Sequence, residues 1–197
     1  MSDPVDRDWM NDQLDDLVTT AKAMEELLPA TRGVAALLID AYQNGGILYT
    51  FGNGGSAADA QHFSEELIGH YSRDRRPLPA VNLTADPSVL TCISNDYSYA
   101  DVFSRQVEGL ARPADVVAAF TTSGKSPNVV AALEAARAKG ATTVLFAGGD
   151  GGPSLQHADH VLLVPSTAAP RIQELHTFLL HVICEGVDAW AAGEVLA

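Results

Sequence analysis

Two hydroxyl-rich turns carry the first chemistry visible in this 197-residue chain. Gly52-Asn53-Gly54-Gly55-Ser56 follows the β-rich run Ile47–Phe51 and precedes a helical stretch. Glycines let a chain turn sharply and bring bare amides close to a ligand. Ser56 adds a hydroxyl at a helix N-terminus, where free N–H groups and the helix dipole favour an anion. A tight strand–helix turn with a serine cap reads the same way. The segment is neither a Walker loop nor the G-x-G-x-x-G pattern, because no lysine follows the glycines and the third fingerprint position holds no glycine. A second turn, Thr121-Thr122-Ser123-Gly124-Lys125-Ser126-Pro127-Asn128, follows a run ending at Phe120. Pro127 suits the first turn of the next helix. Its Gly-Lys-Ser triplet is not a Walker loop either, since Phe120 stands where that loop needs glycine. Together the two turns form a cradle for one phosphate.

The acid–base candidates lie elsewhere. His62 and Glu66 are four apart, on one helix face and expected to look toward the crevice of Ser56. Both can bind zinc, and glutamate can also move a proton. A surface pair or a hydrogen-bonded core histidine would give the same spacing. A later segment holds Arg171, Gln173, Glu174, His176 and His181 among Leu175, Phe178, Leu179, Val182 and Ile183. That is a core helix, so Gln173 and His181 need partners where buried.

These residues need a scaffold. The chain length suits one domain, residues 1–197, with N-terminal helices over 1–45 and an α/β core over 46–197. Met10, Leu14, Leu17, Val18, Ala21, Met24 and Leu27 fall at helical spacing over 8–29, and Pro29 interrupts them. A second helix over about 31–44 ends at Gly45-Gly46. These two helices either cover the core or form a subunit contact. From Ile47, five apolar runs alternate with helices: Ile47–Phe51, Ala80–Leu83, Asp115–Phe120, Thr142–Phe146 and His160–Val164. Helices are expected near 56–70, 87–93, 100–111, 127–139 and 171–191. Strands apolar on both faces and separated by helices predict a five-stranded parallel α/β sheet of flavodoxin-like order. Ligands in such sheets bind beyond the strands' carboxyl ends, where both turns fall.

Composition narrows the classes. A net charge of −13 argues against non-specific nucleic-acid binding and against an anionic membrane surface. It leaves a phosphate site open, because such a site is built locally from amides and hydroxyls. The N-terminus lacks the basic and apolar regions of a signal peptide, and no apolar run reaches the roughly 18 residues that span a bilayer. Cys92 and Cys184 both sit in apolar runs and are expected as buried free thiols. A cytoplasmic protein without nucleic-acid or membrane partners is the expectation.

The segments Gly52–Tyr71, Ser94-Asn95-Asp96 with Val102–Arg105, Thr121–Val129, Gly148–Gly152 and Arg171–His181 together resemble the sugar isomerase (SIS) domain family. Within it the likeness is to the phosphoheptose isomerases, over nearly the whole chain. The resemblance implies an isomerase converting sedoheptulose 7-phosphate to D-glycero-D-manno-heptose 7-phosphate through an enediol. It implies a homotetramer with active sites shared between subunits, N-terminal helices used in subunit packing, and one zinc per subunit. On the matching positions, Asn53, Gly54, Gly55 and Ser56 line the substrate with Asn95, Asp96 and Gln173. Thr121, Thr122, Ser123 and Ser126 take the phosphate. His62, Glu66, Gln173 and His181 match the zinc site, and Glu66 and His181 match the base and acid. Gln173 and His181 are eight apart, about 12 Å along a straight helix, so one metal meets both only across subunits or at an irregular helix start. Pro170 replaces an acidic residue frequent in the family, and Lys125 a small polar one. The alternatives are another SIS sugar-phosphate isomerase, or the replication-initiator-associating relatives that bind without catalysis. Those binders lack the acid–base pair that Glu66 and His181 match here.

Overall fold

The computed structural model describes residues 7–195. Its centre is a five-stranded, all-parallel sheet: β1 Leu48–Gly52, β2 Ala80–Asn82, β3 Val116–Phe120, β4 Thr142–Gly148 and β5 His160–Val164, in the order β2-β1-β3-β4-β5. Every residue of β1 and β3 is buried, which is why those runs are apolar without alternation. The alternation is instead between two cores. Leu48, Val116, Ala118, Phe120, Val144 and Phe146 point to one face, while Tyr49, Phe51, Val117, Ala119, Leu145 and Ala147 point to the other.

On the first face pack α2 (Leu28–Gln43), α3 (Gly55–Ile68) and α7 (Ala169–Ala192); on the second pack α4 (Pro87–Asp96), α5 (Ser104–Leu110) and α6 (Pro127–Ala138). The five strands and the doubly wound order match expectation. Three details differ. Pro29 does not break a helix but begins one: α1 (Arg7–Ala23) passes through a 3-10 turn, Met24–Leu27, straight into α2. Proline fits there because a first-turn N–H has no helical partner to lose. The helix expected over 100–111 is a 3-10 turn at Tyr99–Asp101 followed by α5. Cys184 is buried as expected, but Cys92 is exposed, because α4 is covered on one side only and buries just Ile93 fully.

The carboxyl end of α3 is anchored by a buried ion pair. Arg75 Nε donates to Asp188 Oδ1 at 2.8 Å, and neither side chain is exposed. The guanidinium also donates to the carbonyls of Glu66 (2.7 Å) and Leu67 (2.8 Å), which a helix end otherwise leaves without partners. Asp188, on α7, further accepts the backbone N–H groups of Tyr71, Ser72 and Arg73. Burial alone would raise its pKa, yet Arg75 and these amides hold its carboxyl below the ordinary range. Arg75 therefore fastens the end of α3 that carries Glu66 onto α7. Arg75→Leu leaves the buried Asp188 carboxylate with only the amides, the Ser72 hydroxyl and a longer 3.4 Å contact from Arg73, and is expected to lower stability by about 3 kcal/mol, read as a shift in the urea midpoint. A loss within about 1 kcal/mol, as for an exposed pair, would show that α3 is held by other contacts.

Candidate active site

The two hydroxyl-rich turns meet at the carboxyl ends of β1 and β3, where they lead into α3 and α6. Asn53, Ser56, Thr121, Thr122, Ser123, Ser126 and Gln173 line a cavity of about 80 Å³ there. A water takes up about 30 Å³, so the space fits a group of phosphate size. Two helix N-termini open onto it, a favourable place for negative charge. The Thr121 hydroxyl accepts the Gly124 N–H at 3.1 Å and so shapes the second turn. The Gln173 amide packs directly on Gly55: a Cβ there would stand 2.7 Å from the amide oxygen, so the amide would have to move.

The turns are pinned together by amides. Asn53 Nδ2 donates to Asn128 Oδ1 and Asn128 Nδ2 returns the bond to Asn53 Oδ1, both at 2.9 Å. The Tyr99 hydroxyl donates to the same Asn53 oxygen at 2.9 Å. Asn53 thus braces the cradle with its side chain. Gly54 and Gly55 lie exposed at its rim. Asn95 and Asp96 sit exposed at the end of α4, bonded to each other at 2.8 Å, and are not part of the cavity lining.

The acid–base candidates converge between α3 and α7. His62 Nε2 lies 3.0 Å from Glu66 Oε1 and 3.3 Å from His181 Nε2, and His181 Nε2 lies 3.9 Å from Glu66 Oε1. Zinc bonds of about 2.0–2.1 Å in tetrahedral geometry set ligand atoms about 3.3 Å apart. The three side chains therefore fit one such ion. Burial first, and the neighbouring His62 second, hold His181 below its ordinary pKa, while Glu66 opposes them. This trio does not face the crevice of Ser56. Six residues of α3, about 9 Å of rise, separate Ser56 from His62. Of the trio, His181 also borders a groove of about 1050 Å³ lined by Leu28, Arg32, Tyr71, Phe178, Val182 and Glu185. Gln173 lies at the cradle, two turns along α7 from His181, so within one chain the expected four ligands divide three and one.

Comparison with known proteins follows the same lines. A sequence model of the SIS domain matches residues 13–148. The phosphoheptose isomerase of Geobacter sp. strain M21 is 51% identical over 163 residues, 83% of this chain and 85% of that one. The chain belongs to the phosphoheptose isomerase family of SIS domains. Solved phosphoheptose isomerases from Neisseria gonorrhoeae and Francisella tularensis share its fold, with TM-scores of 0.88 and 0.89 at 37% and 32% identity. They cover 93% and 92% of this chain, and are themselves covered to 98% and 97%.

In this SIS domain two site residues escaped the sequence reading. Asn128 lay within a recognised turn but nothing marked its amide, and Tyr99 lies 46 residues from the Asn53 it contacts. Asp59, one turn before His62, is a buried carboxyl. Burial pushes its carboxyl up to about 6, against the bond it accepts from Thr177. His176 is no site member but a core residue. Its Nε2 faces the Ala147 carbonyl at 3.3 Å, and Phe120 and Phe146 pack edge-on against its ring.

Burial lowers the His176 pKa to about 4, with the Ala147 bond partly opposing. The ring is thus neutral in the folded protein but takes a proton below about 6.5 when unfolded. Its contribution is full above pH 6.5 and is lost as pH falls toward 4, in total about 3 kcal/mol. Asp59 works in the opposite sense, losing stability as pH rises through the same range, so the test is comparative. His176→Gln should flatten the drop in stability between pH 7 and 4.5 in urea titrations relative to the parent. Parallel pH curves would show that His176 does not titrate in this window.

Proposed function

We propose that the protein interconverts sedoheptulose 7-phosphate and D-glycero-D-manno-heptose 7-phosphate, as a cytoplasmic homotetramer with one zinc per subunit. The observation that carries this reading is the convergence of His62, Glu66 and His181 on the same helix pair that ends at the hydroxyl-lined cradle. Moving a carbonyl from C2 to C1 requires a proton to leave C1 and return at C2 through an enediol. Glu66 is suited to that transfer: both histidine contacts fall on Oε1, so Oε2 is the oxygen left for the proton. His181, held neutral near pH 7 by its lowered pKa, can give a proton to one sugar oxygen and take one from the other. A zinc ion held by His62, Glu66 and His181 supplies, when bound, Lewis-acid polarisation of the sugar carbonyl. Ser123, Ser126, Thr121 and Thr122, with the N-termini of α3 and α6, hold the phosphate.

Exposed apolar side chains support the assembly. Trp9, Met10, Leu14 and Val18 are exposed on α1, and Leu28, Phe178 and Val182 border the groove beside the trio. Side chains of this size in contiguous exposure mark interaction surfaces. A second copy laid over the groove would cover His181, about a third exposed, and could bring a neighbour's Gln173 to the metal. Free Cys92 and Cys184 suit a reducing compartment. Among the described residues no helix is long and apolar enough to cross a membrane.

The deciding assay follows sedoheptulose 7-phosphate conversion with and without a chelator. Glu66→Gln is expected to reduce kcat by about 10²–10⁴ while the far-UV spectrum and assembly size stay those of the parent. Activity within tenfold of the parent would remove Glu66 from proton transfer. For the cradle, Ser123→Ala and Ser126→Ala should each raise KM about 10-fold to 150-fold, the worth of a hydrogen bond to a charged group, with kcat nearly unchanged. An unaltered KM in both would place the phosphate elsewhere.

A further inference from the structure

The turn Gly148-Gly149-Asp150-Gly151-Gly152, at the end of β4, is not part of the cradle lining. Its backbone nevertheless lies against the second hydroxyl-rich turn. A Cβ on Gly152 would stand 2.7 Å from the Ser123 carbonyl oxygen and 2.8 Å from that of Gly124. From the other side, a Cβ on Gly124 would overlap the Gly151 carbonyl. Gly124, Gly151 and Gly152 all have φ between +53° and +67°, where residues with side chains are strained. Ser154, fully buried, closes the contact: its N–H and its hydroxyl both donate to the Gly124 carbonyl, at 3.1 and 2.8 Å. At the exposed edge, Lys125 Nζ and Asp150 Oδ2 stand 3.8 Å apart.

We infer that the turn after β4 is a template for the phosphate turn, with Gly152 and Ser154 as positioning residues for phosphate binding. Hydrogen bonds weaken steeply with small errors of distance and angle. Hydroxyls that must converge on one phosphate therefore need a backbone fixed to a fraction of an ångström. The second turn has no regular structure between Thr121 and Ser126 to fix it. The interlocked glycines and the Ser154 bonds do so from behind. This rests on the reading of Thr121–Ser126 as the phosphate site.

A comparison within the same turn tests it. Gly149 also has positive φ, +61°, but a Cβ there meets only the Thr167 methyl at 3.8 Å. Gly149→Ala and Gly152→Ala thus share the backbone strain, and only the second pushes on the phosphate turn. For each full-length variant, and for the milder Ser154→Ala, kcat, KM for sedoheptulose 7-phosphate and the inhibition constant of inorganic phosphate are measured. Gly152→Ala should raise KM and the phosphate constant in parallel by about tenfold or more, the worth of one to two hydrogen bonds, with kcat within about threefold. Gly149→Ala should leave both constants near the parent. Ser154→Ala should raise both about threefold to tenfold, and it decides the matter if Gly152→Ala does not fold. Equal constants in the two glycine variants, or a Ser154→Ala loss confined to kcat, would overturn the inference. A parent enzyme that inorganic phosphate does not inhibit would overturn the phosphate reading itself, and the inference with it.

Discussion

The site depends on the parallel packing of α3 against α7. The two helices follow β1 and β5, which are parallel strands of one sheet, and pack on the same face of it, so they run in one direction. Their contacts keep a constant offset: Gly55 lies under Gln173, Asp59 meets Thr177 118 residues on, and His62 meets His181 119 residues on. One register thus sets three levels, with the hydroxyl-lined cavity at the bottom, the buried Asp59 carboxyl in the middle and the His62–Glu66–His181 trio at the top. A slip by one helical residue would rotate every level by about 100° and dissolve all three together.

That register is held at both ends by different means. Near the strands the two helices meet where the Gln173 amide packs on Gly55, a place from which a side chain would displace it. At the far end it is electrostatic, with Arg75 bonded at once to the last carbonyls of α3 and to Asp188 of α7. Between them Ala60, Phe63, Leu67, Leu175, Leu179, Leu180 and Ile183 form a continuous apolar core. Polar residues on the two helices are tolerated where they find partners: Asp59 and Thr177 across the seam, and Ser64 and His176 on the sheet, at Thr50 and the Ala147 carbonyl.

Much of this could be read in the residues, and the limits are physical. The sheet was legible because strands buried on both faces must be apolar throughout, and the cradle because glycines and hydroxyls cluster directly after two of those strands. His62 and Glu66 were legible as a pair from the helical period. Their orientation was not, because periodicity gives a face but not what it faces, and six residues of rise carry them away from Ser56. The division of Gln173 from His181 did follow from helix rise alone. Asn128, Tyr99 and Arg75 were not visible. An asparagine after a proline, an isolated tyrosine and an arginine in Ser72-Arg73-Asp74-Arg75-Arg76 all look like surface residues until the tertiary fold supplies Asn53 and Asp188.

The two ends of the α3–α7 pair differ in how finished they are. The cradle is closed by its own chain, with Asn53–Asn128 in front and Gly124 locked against Gly151 and Ser154 behind. The trio has its mutual distances set, yet its His181 borders a wide groove lined by exposed apolar side chains. Anion binding by amides and hydroxyls works at a solvated rim, because the ligand's charge makes each bond strong. Enediol chemistry instead benefits from excluding water, which would weaken the electrostatics and trap protons. The cavity between the two turns is thus enclosed within one chain, whereas His181 stands at the edge of a groove bordered by exposed apolar side chains, so the two ends of the helix pair differ in how far solvent reaches them.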